Sequence, residues 1–270
     1  MPRDLSDVIH YFMPEAGESS PPERQPDEAF RDNRPSQRRG PSALPLVGVP
    51  ISDQDVVRAA FTWNLTVEIA RAGGRAILVA PAGDAGKALW PAPGRGPLGS
   101  EIALVEVETL GELYRAAQDL AVSRAADAHD GGIVFVRIPP LWLRKPAEAG
   151  NLLRWTLIFT TSDERDLLET YGIAKLLMGI LPSVHVGITV HGARGIDEAA
   201  AAFRRIDGVA RKRLSRPLVS YGLLVDDLDV YRAIVAQRPI GLAHPQSPAA
   251  RALRDVASLL FANAQEMAIV

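Results

Sequence analysis

From position 46 onward, short apolar runs alternate with longer segments whose apolar residues recur three and four apart. The runs at 46–49, 76–80, 102–107, 133–138, 155–160, 185–190 and 218–224 predict strands. The segments at 53–72, 109–127, 163–179, 196–214, 227–236 and 247–264 predict helices. Nearly continuous apolar strands between amphipathic helices indicate an α/β domain, a mainly parallel sheet with helices on both faces. The crossover rule makes the connections right-handed. Ligands of such sheets sit beyond the carboxyl ends of the strands. Chemistry is therefore to be sought at 50–55, 80–87, 137–141, 160–163, 191–195 and 225–227.

The first 45 residues break the pattern. Residues 15–45 are dense in Pro, Arg, Glu and Ser and poor in apolar groups. Burial there cannot offset the entropy of ordering, so the segment reads as a flexible tail before a domain at 46–264. Within 4–14, Leu5, Val8, Ile9 and Phe12 fall at helical spacing and form one short apolar stripe. Two readings stay open: the stripe packs on the protein's own domain, or it docks into a groove on a partner.

Composition narrows the classes. The chain has 270 residues, 47% of them hydrophobic, enough for one large domain with a substantial core. A formal net charge of -2 provides no field for nucleic acid. Cysteine is absent, which removes disulfides and thiolate chemistry. No signal peptide and no apolar run of about 18 residues is visible. The last ten residues, FANAQEMAIV, carry no Lys or Arg to make a membrane anchor. A cytoplasmic protein without nucleic-acid or membrane partners is expected.

Several stretches imitate sites. GDAGK at 83–87 lacks the full phosphate-loop spacing and reads as a polar loop. WPAPGRGPLG at 90–99 is a Pro/Gly loop whose Trp90 is either a partner contact or part of a rigid connection. None of the five histidines has metal-ligand spacing, and no G-x-S-x-G elbow supports a Ser-His-Asp triad. The basic run from Arg204 to Arg213 reads as a solvated helix face.

The order of the pieces resembles the MinD/ParA family of P-loop ATPases, nearest its flagellar-number branch, often called FlhG. HVGITVHGAR resembles the family's strand ending in V-N-R. RPLVSYGLLVDDLDVYRAIVAQRPIGLAHPQSPAARALRDVASLL resembles its closing strand, proline-containing turn and P-x-S-x-A-A-R-A helix. NLTVEIARAGGRAILVAPAGD resembles N-L-A-x-x-L-A-x-x-G-x-x-V-L-L-I-D-A-D. The resemblance covers residues 46–262.

The departures concern the parts that hold ATP and Mg²⁺. Against the family's K-G-G-x-G-K-T, this chain has DQDVVRA. Asp53 stands at the first Lys, Gln54 and Asp55 at the Gly pair, Arg58 at the second Lys and Ala59 at the Mg²⁺-binding hydroxyl. Without the glycines the backbone cannot curl into the same cradle. The family's D-x-D after the second strand is Ala80-Pro81-Ala82, its D-T-P acid is Arg137, and its base-recognition Asn is His191. The resemblance therefore implies a degenerate nucleotide site at Ser52, Asp53, Asp55, Arg58, Arg137 and His191. Ser52-x-x-Asp55 makes a close variant of a capping box, and Arg137 is expected to pair with Asp53 or Asp55.

These departures imply a pseudo-ATPase: a non-catalytic regulatory or scaffold protein without a cofactor, acting through protein–protein interaction. Its partner would be a MinD/ParA-type paralogue or a second copy. The alternative is an atypical ATPase that binds ATP and Mg²⁺ in cell positioning, division or flagellar-number control.

Overall fold

A computed structural model describes residues 42–52, 54–84 and 93–269. Leu5, Val8, Ile9, Phe12, Asp53 and Trp90 lie outside the described residues. Strands β1 (Leu46–Pro50), β2 (Arg75–Pro81), β3 (Gly94–Arg95), β4 (Glu101–Val105), β5 (Gly132–Ile138), β6 (Trp155–Thr160), β7 (His185–Ala193) and β8 (Val219–Val225) form one sheet in the order β3-β4-β2-β5-β1-β6-β7-β8. All neighbours are parallel except β3, which pairs antiparallel with β4. The helices are α1 (Val56–Arg71), α2 (Leu110–Ala125), α3 (Glu164–Ile180), α4 (Ile196–Leu214), α5 (Leu228–Val235), α6 (Ile240–Ala243) and α7 (Pro248–Ile269).

The apolar residues divide between two cores because side chains alternate along a strand. On β5, Val134, Val136 and Ile138 face the core under α2, α3 and α4. Ile133 and Phe135 face the core under α1, α5, α6 and α7. Arg137 continues the second series, which sends a guanidinium under the start of α1 rather than into solvent.

The topology fixes where a ligand would sit. From β1 the chain crosses to β2 on one side of the sheet, and from β5 it passes β1 to reach β6 on the other. The carboxyl end of β1 is therefore a switch point, flanked by β5 and β6.

Helix α1 is covered by the sheet and by α7, so it buries polar residues as well as apolar ones. Thr62, Asn64 and Thr66 find partners, as burial requires, while the Trp63 indole N–H has none among the described residues. Thr62 Oγ1 and Thr66 Oγ1 donate to carbonyls one turn back, at 3.0 and 2.9 Å. Asn64 Nδ2 donates to Ala60 O, and Asn64 Oδ1 accepts from Ile240 N, both at 2.8 Å. That second bond ties α1 to α6. On the same face, Tyr221 packs against Gly187, where a Cβ would stand 2.2 Å from the ring. The Tyr221 hydroxyl accepts from Asn263 Nδ2 at 2.8 Å and meets His185 Nε2 at 2.9 Å.

Several boundaries differ from the sequence pattern. Helix α1 starts at 56, about one turn later than expected, because Asp55 is its N-cap and accepts from Arg58 N. Ser52 caps a preceding turn instead: its Oγ accepts from Gln54 N, and its carbonyl accepts from Asp55 N. Strand β7 runs on to Ala193, which places His191 inside the strand rather than in the loop after it. Gly94-Arg95, within the expected loop at 90–99, forms the edge strand β3. Residues 140–154 carry three 3-10 turns where no element was expected. Leu44, assigned to the tail by composition, is 2% exposed and packs in the core under α2.

Candidate functional site

Four strand ends meet around a cavity of about 600 Å³. Ser52 and Asp55 enter it from the loop after β1, Val57 and Arg58 from the first turn of α1, and His191 from β7. Arg165, Asp166 and Glu169 come from the start of α3, and Asp226 follows β8. These are the carboxyl ends at which sequence pattern places chemistry.

Arg58 is the centre of this cavity. Its Nη2 donates to Asp166 Oδ2 at 2.8 Å, its Nε lies 3.3 Å from Asp55 Oδ2, and Nε also donates to His191 Nε2 at 3.2 Å. Asp55 is shared, since its Oδ1 accepts from Arg58 N at 2.9 Å. The side chain thus closes the N-terminus of α1 and neutralises the guanidinium two residues inside it, as suits a positive helix end. Asp166 is held in turn by Thr161, whose Oγ1 donates to the same Oδ2 at 2.8 Å. Asp163 caps α3 by accepting from Arg165 N, which fixes the turn that carries Asp166.

His191 is neutral in this setting. Burial first, then the Arg58 guanidinium, push its pKa down to about 4, against the weaker pull of Asp55 and Asp166. Because Arg58 Nε donates to Nε2, the ring proton sits on Nδ1. Phe61 covers the ring, with centroids 5.4 Å apart.

Arg137 lies deeper. It is 1% exposed, and its Nη2 donates to Ser52 O at 2.8 Å. It stands beside Val49 in the sheet register. Its expected partner Asp55 is taken by Arg58, and the other expected partner, Asp53, lies outside the described residues.

The structure therefore brings Ser52, Asp55, Arg58 and His191 to one cavity, and joins buried Arg137 to it through the carbonyl of Ser52. Sequence reasoning missed Asp166 and Thr161. An acidic residue in the first turn of a helix is accounted for by the helix dipole alone, so nothing in the string DERD singles out Asp166. Among the described residues, no group of three His, Cys, Asp or Glu side chains is placed to hold a metal ion, and no helix is long and apolar enough to cross a membrane.

Neither a family model nor a curated protein sequence matches the chain. Solved structures do. The MinD cell division protein of Aquifex aeolicus matches 81% of this chain and 97% of its own, with a TM-score of 0.61 and 14% identity. The cell division ATPase MinD of Pyrococcus furiosus covers 80% and 98%, with a TM-score of 0.58 and 13% identity. The chain has the MinD/ParA fold. A ParA-family ATPase of Chlorobium tepidum matches it as well, over 80% of this chain and 99% of its own, with a TM-score of 0.57 and 12% identity. The switch point at the end of β1 is thus a feature of a MinD/ParA-type sheet, and the Arg58 cavity is what this chain builds there.

The cavity is lined by charges of both signs. Carboxylates of Asp55, Asp166, Glu169 and Asp226 share it with the guanidinium groups of Arg58 and Arg165. The N–H of Arg58, in the first turn of α1, is bonded to Asp55.

Proposed function

We propose that this chain is a non-catalytic MinD/ParA-like regulatory or scaffold protein, with a degenerate nucleotide site, that works by binding another protein. One observation carries the reading: the Arg58 guanidinium is neutralised from within by Asp55 and Asp166, and it also donates to the neutral His191 ring. In a family resembling this chain, the matching cation grips phosphate. Here a phosphate would have to displace two carboxylates from it. Like charges about 4 Å apart repel by ~4 kcal/mol at the effective dielectric of a protein surface. That exceeds the ~1.5–3 kcal/mol of one hydrogen bond to a charged group. The ionic scheme maintains the fold around the switch point without ATP or Mg²⁺. The partner is a protein, either a MinD/ParA-type paralogue or a second copy of this chain, and the protein works in the cytoplasm.

Isothermal titration with ATP and ADP in the presence of Mg²⁺ tests this. The expected trace shows heat of dilution alone. Micromolar binding accompanied by phosphate release makes the chain an atypical ATPase instead and ends the reading.

A further inference from the structure

We propose that the groove between α3 and α4, on the opposite face of the sheet from α1, is a docking site for an acidic amphipathic helix of a partner protein. The groove is separate from the Arg58 cavity, and the inference does not depend on the nucleotide reading.

The two helices run side by side because both connect neighbouring parallel strands. Between them lies a depression of about 210 Å³, floored by Leu167 and Ile206 and walled by Leu168, Tyr171 and Val209. Leu168 is 65% exposed and Val209 42%. Exposure of a single apolar residue is ordinary, but two facing each other across an apolar cleft form a seat for a third apolar surface. The upper end is closed by the exposed pair of Arg205 and Glu164 at 2.9 Å.

Each helix that walls the groove also carries an open glycine. Gly172 lies one turn beyond Leu168, and Gly208 adjoins Val209. Both are inside helices, neither has a positive φ, and a Cβ built on either meets nothing within 4 Å. Glycine weakens a helix interior, and nothing within this chain's described residues requires it at these positions. Close approach of another backbone would make use of them. An incoming helix lying along the groove meets α3 and α4 at these bare positions, as small residues permit between packed helices.

Charge selects the occupant. One turn past Tyr171 and Val209, Lys175 and Lys212 project on the groove-facing sides of their helices by the 3.6-residue period. Among the described residues neither takes part in an ion pair, whereas Arg205 and Arg211 on the same helix each have an acid. Two exposed lysines without counter-ions, one on each wall, complement carboxylates flanking an apolar stripe. A basic helix is repelled by the same pair.

The probe is a fluorescein-labelled synthetic helix with leucines at i, i+3, i+4 and i+7 and glutamates on both flanks, followed by fluorescence anisotropy against the full chain. A second probe carries lysines in place of the glutamates. The expected result is saturable binding of the glutamate probe, at least tenfold tighter than the lysine probe. Lys175→Glu with Lys212→Glu reverses that preference. Gly172→Leu raises the thermal unfolding midpoint, as a better helix former, yet weakens the glutamate probe at least tenfold. Loss of binding is thereby separated from loss of folding. Failure of the glutamate probe to bind, equal binding of both probes, or binding unchanged in Gly172→Leu overturns the proposal. Nucleotide titration reads neither residue, so the two readings fail independently.

Discussion

Arg58 Nη2 and Asp166 Oδ2 are 2.8 Å apart, although 108 positions separate them in the chain. The bond ties the first turn of α1 to the first turn of α3 across the switch point, and with Asp55 and His191 it occupies the space in which a MinD/ParA-type sheet presents its carboxyl ends.

Breaking that pair leaves a half-buried guanidinium short of one acid. Asp166→Ala is expected to lower stability by about 2 kcal/mol, the usual worth of a hydrogen bond between charged groups in a partly buried site. Urea unfolding of the two proteins measures it. Asp166→Asn keeps one acceptor for Arg58 and is expected to cost about half as much.

Acid should destabilise the protein through His191. Its folded-state pKa of about 4 lies below the ordinary 6.5. The unfolded chain therefore takes up the proton first as pH falls. Stability from the neutral ring is complete above about pH 6.5 and drains away towards pH 4, to a limit of about 3 kcal/mol. His191→Gln keeps an acceptor for Arg58 but does not titrate. Its unfolding free energy should therefore fall less steeply through that window. An unchanged slope would show that other groups govern the acid response.

At Gly187 the sheet has no room. Gly187→Ala forces a methyl group against the Tyr221 ring, which cannot retreat without giving up Asn263 and His185. A loss of about 2 kcal/mol is expected, in the range typical of overpacked cores. A lowered thermal midpoint that is partly recovered in Gly187→Ala with Tyr221→Leu identifies the clash as the cause.

Asn64 offers a test on the other side of α1. Asn64→Leu keeps the volume but strands the buried N–H of Ile240, at a cost of about 1–3 kcal/mol. Hydrogen exchange at Ile240 should accelerate before the core strands respond, since α6 is held at its start by this bond.

Much of the fold was legible. Seven of the strands were visible as apolar runs because strands buried on both faces leave little choice of residue. Gly94-Arg95 escaped because two exposed residues at a sheet edge carry no periodicity. The late start of α1 escaped because Ser52 and Asp55 are both good caps, and only the fold decides between them. At the site, Asp55, Arg58 and His191 could be nominated from their positions after strands. The partner of Arg58 could not, because a bond across 108 positions leaves no trace in local pattern. Sequence reasoning offered Asp53 or Asp55 to Arg137, and Asp53 lies outside the described residues. The structure gives Asp55 to Arg58, which lies three residues away on the same helix turn and needs no long reach.

The shared carboxylates also constrain what this chain can become. Asp55 caps a helix and holds a cation with the same side chain, and Asp166 serves that cation and a threonine at once. Replacing any one of the three charges alone unbalances the others in a half-buried cleft. A path toward another charge arrangement by single substitutions would therefore cross forms less stable than either endpoint. The arrangement behaves like a ratchet, easier to elaborate than to undo.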